Sequence, residues 1–377
     1  MSFQRTGVLD LAREVLLMLL RLFPWSTEPG LRSVGNPSPS SPVLVTGNYD
    51  LSVRRLLRAI EGIDAWVVVA PSRGINVWCA AAGGHLTSHQ VITALKTSGV
   101  EDRVEHRRAI LPQLAATGVM ARVVSQRCGW KLRFGPVYAE DLPRYLAQQE
   151  KKSDDMRRVR FGVAERLEMA VAWAAPTSLV FAAATALFRP AWCLPIIALS
   201  WALAVAVFLV YDRIPGPRRL VLGGGAVAVS LVSVALAGGG GAALAAAAIA
   251  SALLTAILSY DYSGSTPIEG GSHFEERRWS ITLDRERCEG IYSCWEVCPK
   301  ACFEKSVPES AGDRRKVDLA HAEHCICCGA CIVQCPEDAL YFEDEKRERV
   351  EPDTIRRFKL NLMGRRAVAA ADTEATG

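Results

Sequence analysis

Between Leu167 and Leu258 the chain is almost free of charge and divides into four apolar segments, 167–187, 191–210, 220–236 and 242–258. "RP", "DRIPGPRR" and "GGGG" separate them. Apolar runs of about 17 to 25 residues can cross a bilayer as helices, which satisfy their own backbone polar groups in hydrocarbon. A multidomain membrane protein is expected, with an all-α transmembrane domain of about four helices over 167–260. Lys151, Lys152, Arg157, Arg158, Arg160 and Arg166 precede the first segment, Arg213, Arg218 and Arg219 follow the second, and Arg277 and Arg278 lie downstream of the fourth. Cationic flanks favour the cytoplasmic side, so a multi-pass protein of the cell membrane is expected, with both soluble domains facing the cytoplasm. The glycine runs at 223 and 238 read as places of close helix packing, with a transport path through the bilayer as the alternative.

Ahead of the membrane segments, "VLDLAREVLLMLLRLFPW" mixes Asp10, Arg13, Glu14 and Arg21 into an apolar run, which suits an amphipathic helix better than a cleaved signal. With the turn-rich "GNPSPSSP" it makes an N-terminal helix and linker over 1–42. From Val43, "VLVTG" and "AWVVVA" read as buried strands and "LSVRRLLRAI" and "SHQVITALKTSG" as helices; "ARVVSQ" and "LRFGPVY" read as further strands. An open Rossmann-like α/β domain over 43–150 follows, whose ligands would lie beyond the carboxyl ends of the strands. Both "TGNYD" and "SRGINVWC" are loops at such ends, and the second carries Cys79. A basic linker occupies 151–166 and another linker 261–278. The formal charge of +4 over 377 residues is small, and the arginines sit at helical spacings, so no nucleic-acid partner is expected.

Nine of the twelve cysteines lie between Cys288 and Cys335, too closely spaced for a disulfide framework and consistent with a reducing compartment. "CICCGACIVQCP" holds C-x2-C-x2-C-x3-C-P as Cys325, Cys328, Cys331 and Cys335, the bacterial ferredoxin spacing. "CEGIYSCWEVCP" repeats it at a constant offset of 37 residues, with Cys288, Cys294 and Cys298 in register and Ile291 where Cys328 has its thiol. In two-cluster ferredoxins the last cysteine of each run serves the other cluster. Cys298, Cys325, Cys328 and Cys331 are therefore expected to hold a [4Fe-4S] cluster. Cys288, Cys294 and Cys335 are left for a second cluster, either [3Fe-4S] or an incompletely ligated [4Fe-4S], since isoleucine offers no lone pair. An α+β dicluster ferredoxin domain of bacterial type is expected over 279–345, followed by a tail over 346–377. Cys302 and Cys327 fall outside the ligand register and read as small apolar packing, with soft-metal binding as the alternative.

"VLVTGNYDLS" followed by "GINVWCAAAGG" resembles the mercury-methylating corrinoid protein family and, more distantly, the corrinoid iron-sulfur protein of acetyl-CoA synthesis. "HRRAILPQLAATGV", "FGPVYAEDLPRYL" and "MRRVRF" are also similar to the first family, whose separate partner is a two-cluster ferredoxin. The chain looks like a fusion of the two over roughly 43–345. The resemblance implies a corrinoid, with Cys79 as the lower axial ligand of cobalt and as the catalytic residue. It also implies corrinoid contacts from Thr46, Gly47, Asn48 and from Asn76, Val77, Trp78, Cys79, Ala80 and Ala81. A thiolate trans to the methyl group favours its transfer with carbanion character, with Hg(II) as the implied acceptor. A methylated folate-type donor or its methyltransferase would supply the methyl group, and a low-potential electron donor would keep cobalt reduced through the clusters. Ala82 and Gly83 stand where the family has glycine and lysine, and the C-terminal cysteine pair of the partner ferredoxin has no counterpart here. These departures keep open a thiol, arsenic or selenium acceptor, or a membrane iron-sulfur electron-transfer protein without corrinoid.

Overall fold

The computed structural model describes residues 8–187, 189–267, 279–307 and 316–358. It separates into two units: the described residues of Pro24–Val159 with Gly270–Gly377, and those of Thr6–Phe23 with Arg160–Glu269. The helix α1 (Val8–Leu19) belongs to the second, whereas β1 (Gly30–Val34) begins the sheet of the first.

β2 (Val43–Gly47) and β3 (Ala65–Ala70) are runs of mostly branched apolar side chains without polar alternation, the pattern of parallel strands covered on both faces. Between them α2 (Asp50–Ala59) turns Leu51, Val53, Leu56 and Leu57 into the core and leaves Arg58 outside. α3 (Val77–Ala82) and α4 (Ser88–Thr97) follow β3, and Thr87 with Gln90 closes a capping box at the start of α4. β4 (Arg108–Leu111), α5 (Ala121–Cys128) and β5 (Lys131–Phe134) complete a sheet of order β1-β3-β2-β4-β5. All pairings are parallel except that of β1 with β3. The chain leaves β2 for β3 on one side and comes back to β4 on the other, so the strand order reverses between β2 and β4. A crevice for a ligand opens outside the carboxyl ends at such a reversal.

Three features differ from the sequence reading. "ARVVSQ" is the helix α5, not a strand: Val124 is fully buried, and Gly129 at φ +75° ends the helix in the left-handed region that glycine adopts freely. The strand in that part of the sheet is β4, from the unassigned "RAIL". β1 lies within 1–42, read as helix and linker, and its five residues pair with Ala65–Val69 as an antiparallel edge. No local pattern marks it, because "GLRSV" becomes a strand through its partner.

α6 (Leu142–Ala147) and α7 (Asp154–Arg157) end this segment, and the unit resumes with β6 (Ser280–Leu283) after the membrane-type helices. There the offset of 37 residues is visible as structure. α8 (Ser293–Val297) and α9 (Ala330–Gln334) occupy equivalent positions, preceded by Tyr292 at φ +65° and Gly329 at φ +70°. β7 (Phe303–Lys305) pairs with β8 (Val317–Leu319), and β9 (Leu340–Glu343) pairs with both β6 and β10 (Arg349–Val350). This makes a small α+β layer around a cysteine-rich core.

In the second unit four helices are long and apolar enough to cross a membrane: Val163–Ala186, Pro190–Arg213, Arg218–Leu236 and Gly241–Ser263. Arg166 donates to both carboxylate oxygens of Asp212 at 2.7 Å and to the Tyr262 hydroxyl at 3.1 Å, tying three of these helices together. Arg21, just beyond α1, pairs with Glu168 at 2.6 Å. Close helix packing was expected at the glycine runs: a Cβ added at Gly223, Gly224 or Gly225 would meet nothing within 4 Å, whereas one at Gly239 would lie 2.4 Å from Val234 Cγ1 and 3.4 Å from Ala243 Cβ, where two successive helices meet. Further contact comes through Ala170, Ala174, Ala204 and the Ser230–Ser251 hydrogen bond of 2.5 Å. Arg277, Arg278 and the tail beyond Phe358 lie outside the described residues.

Candidate functional site

α3 begins where β3 ends, at the carboxyl edge of the sheet. Asn76 is its N-cap: the side-chain oxygen accepts from the Cys79 amide at 3.0 Å, and the side-chain amide donates to Cys79 Sγ at 3.3 Å. One residue thus starts the helix and braces the thiol. Cys79 is exposed, Val77 and Trp78 are half-buried, and Ala80, Ala81 and Ala82 are buried, so small side chains seat the helix and leave the sulfur outside. The turn 113–117, which follows β4, rests against α3. Gly118 makes this possible, since a Cβ there would lie 2.4 Å from the Ala81 carbonyl and 2.5 Å from that of Leu86.

The loop after β2 reaches the same edge. A Cβ on Gly47 would lie 2.7 Å from Ser72 Oγ and 3.7 Å from Val77, so the two segments expected to contact a corrinoid adjoin each other. Thr46 and Asn48 are both buried. Asn48 Oδ1 accepts from the amides of Ser72 at 2.8 Å and Gly74 at 3.0 Å, and its amide donates to the Thr27 carbonyl at 3.1 Å. The carboxamide therefore staples the loops after β2 and β3 together, a task the sequence reading did not assign to it. A signal for this was present, because an asparagine in a strand-to-helix loop commonly bonds nearby backbone.

Cys298, Cys325, Cys328 and Cys331 line one cavity in the α+β layer, with Cys302 beside them. Cys288, Cys294 and Cys335 lie near one another in a second group, and the Cys294 thiol is pushed up to about 12, first by burial and then by Cys335. Ile291, in register with Cys328, is about half exposed. Cys302 is buried in the cysteine-rich core as small packing and also contacts the ligand set. Its amide donates to Cys298 Sγ at 3.3 Å, and its thiol bonds the sulfurs of Cys298 and Cys325. This bond holds Cys298 below the usual thiol range, and Cys302 and Cys327 together hold Cys325 well below it. Burial pushes Cys328 and Cys331 the other way. Four crowded sulfurs in an apolar pocket cannot all ionise alone. A bound cationic centre offsets that cost, and thiolates are its natural ligands.

This cysteine layer docks directly on the α/β part of its own unit. Gln334, at the end of α9, donates to the carbonyls of Ala116 at 2.8 Å and Val119 at 2.7 Å and accepts from the Ala121 amide at 3.3 Å. Gln113 donates to the carbonyls of Arg157 at 2.8 Å and Val297 at 3.3 Å. Lys152 donates to Gln113 Oε1 at 3.0 Å and to the Glu296 carbonyl at 2.8 Å, and burial brings its ammonium down to about 7. Arg157 lies 3.7 Å over the Trp295 ring and donates to that residue's carbonyl at 2.6 Å. The turn 113–117 thus touches both α3, which carries Cys79, and α9, which carries Cys331.

Residues 21–146 match the family described as the CO dehydrogenase/acetyl-CoA synthase delta subunit. The gamma subunit of the acetyl-CoA decarbonylase/synthase complex of Methanopyrus kandleri is 34% identical over 128 residues, covering 33% of this chain and 27% of the relative. That of Archaeoglobus fulgidus is 32% identical over 116 residues, or 30% and 24% of the two chains. The gamma 2 subunit of Methanosarcina mazei is 33% identical over 127 residues, or 33% and 27%. The chain spans about a quarter of the length of these relatives. The region that matches the family is the α/β part of the chain, with Cys79 inside it.

Proposed function

We propose that this chain is a membrane-bound, corrinoid-dependent methyl-transfer protein with a corrinoid domain at 43–150 and a built-in dicluster ferredoxin domain at 279–345. The observation that carries the reading is the Cys79 thiol: a soft donor, exposed, braced by Asn76, at the carboxyl edge of a parallel sheet. When bound, a corrinoid supplies a cobalt centre that accepts and gives up a methyl group, while iron-sulfur clusters supply low-potential electrons.

The residues have separable tasks. Cys79 would hold cobalt as its thiolate, and the Asn76 amide, donating to sulfur, fixes its direction. Trp78, half-buried beside it, offers an apolar face to the macrocycle, while Val77, Ala80 and Ala81 set the height of the helix. Gly47 lets the loop Thr46–Asn48 lie close to α3. Cys298, Cys325, Cys328 and Cys331 would hold a [4Fe-4S] cluster. Cys288, Cys294 and Cys335 would hold a second, either [3Fe-4S] or a four-iron centre open at Ile291. The shared turn 113–117 keeps the electron source near the centre it serves.

Similarity of residues 21–146 to subunits of acetyl-CoA-forming complexes supports the corrinoid part of this reading. Hg(II) is the acceptor carried over from the mercury-methylating resemblance, with a thiol, arsenic or selenium species as the alternative. The donor is a methylated folate-type compound or its methyltransferase. The four apolar helices would hold both soluble domains on the cytoplasmic side.

The test is cobalt and iron analysis of purified full-length protein, followed by labelled Hg(II) given to anaerobic cells expressing wild type or Cys79→Ala. Cobalt in the wild type and labelled methylmercury that disappears in the variant are the expected results. Wild-type protein with iron but no cobalt after corrinoid supplementation would end the corrinoid reading. Cobalt without methylmercury would end the mercury assignment alone.

A further inference from the structure

One group of metal-binding side chains lies outside both cysteine sets. His321, Glu323 and His324 flank and fill a 3-10 turn, Ala322–His324, and their ligand atoms all lie within 4.8 Å of one another. Glu323 Oε1 is 3.6 Å from His321 Nδ1 and 3.7 Å from His324 Nε2. Tetrahedral ligands at about 2.0–2.1 Å from a zinc-sized ion are separated by about 3.4 Å; the two Glu323–histidine distances lie within a few tenths of an ångström of that, and the two histidine nitrogens are within 4.8 Å of each other.

The surroundings of the turn add a second, independent observation. The other ring nitrogen of His321, Nε2, faces Glu304 Oε1 at 3.5 Å. A carboxylate behind the free nitrogen of a ligating histidine fixes its tautomer and strengthens it as a donor. The turn is also anchored: the His321 amide donates to the Cys302 carbonyl at 3.1 Å and the Cys325 amide to that of Ala322 at 3.0 Å. Both anchors belong to the wall of the cysteine cavity.

We propose that His321, Glu323 and His324 form a binding site for a divalent transition-metal ion of the zinc type, with Glu304 as the carboxylate that orients His321. Two imidazoles and one carboxylate select Zn(II), Co(II), Ni(II) or Cu(II) over Ca(II) or Mg(II), which prefer oxygen ligands. Three protein ligands leave a fourth position open to solvent. The site stands next in sequence to Cys325, so a bound dication adds positive charge beside the cysteine cavity. The inference concerns this chain's own residues and holds whether or not the α/β domain takes a corrinoid.

Full-length protein, matched for iron content, is equilibrated with Zn(II), desalted and analysed for retained zinc, alongside His324→Ala, Glu323→Gln and Glu304→Gln. Glu323 and Glu304 are about two-thirds exposed, so their variants test the site without a risk to folding. The wild type is expected to retain one zinc that His324→Ala and Glu323→Gln lose, and Glu304→Gln is expected to weaken binding about tenfold or more. Unchanged cluster absorption in the variants shows that the lost zinc was not on cluster cysteines. Equal zinc retention by wild type and Glu323→Gln would overturn the assignment.

Discussion

Gln334→Ala is the perturbation that tests whether the cysteine layer is fastened to the α/β part as described. The substitution removes two donated hydrogen bonds, to the carbonyls of Ala116 and Val119, and one accepted from the Ala121 amide. An ordinary hydrogen bond contributes about 0.5–1.5 kcal/mol net, so three amount to about 2–4 kcal/mol. At about 1.4 kcal/mol per factor of ten, the docked arrangement loses about 30-fold to several hundred-fold in its equilibrium with an opened one. Hydrogen exchange at the Ala121 amide reads this directly, because its partner is the deleted side chain. Protection there and across the turn 113–119 should fall by at least tenfold, while that of β2 and β3 stays within twofold. Gln334→Glu should be at least as harmful, since it sets a carboxylate against two carbonyls. Protection of Ala121 unchanged in both variants would refute the fastening argument.

Other outcomes follow from the same geometry. Asn76→Ala removes the cap of α3 and the donor to Cys79 Sγ. It should cost about 1 kcal/mol in stability and lower cobalt retention in corrinoid-loaded protein, whereas Asn76→Asp should recover the cap but not the donor. Gly118→Ala drives a methyl group into two backbone carbonyls, so a loss of about 1–3 kcal/mol in a denaturant titration is expected, with no gain from lower helix-turn entropy. Lys152 releases its proton at about 7 in the folded protein and near 10.5 when unfolded. Between those values the unfolded chain binds a proton that the folded chain lacks, so stability rises with pH across this window and is lost as pH falls to 7. The unfolding midpoint of the wild type should therefore climb from pH 7 to pH 10 more steeply than that of Lys152→Met; parallel profiles would remove Lys152 as the cause.

Local sequence determined much of this protein. "VLVTG" and "AWVVVA" have no polar alternation and read as strands buried on both faces, and four apolar runs, with Glu168 the one charged residue inside them, read as long helices. The spacing of Cys325, Cys328 and Cys331 brings three sulfurs to one small volume wherever that segment folds, and its echo at an offset of 37 residues announces the second copy. Those signals are short-range, set by residue shape and by periods of two or 3.6.

What the tertiary structure alone decided lies between residues distant in the chain. "GLRSV" becomes a strand because β3 offers an edge, and "ARVVSQ" becomes a helix because Val124 finds a core on its inner side. Asn48 turns inward because Ser72 and Gly74, some 24 and 26 residues on, present their amides to it. Cys302 touches Cys298 and Cys325 because the two copies of the motif fold against each other, and Gln334 reaches Ala116 across 218 residues. His321 and Glu304 face each other only once β7 pairs with β8. Such contacts depend on how whole elements pack, and packing is a property of the summed buried surface that no single segment carries.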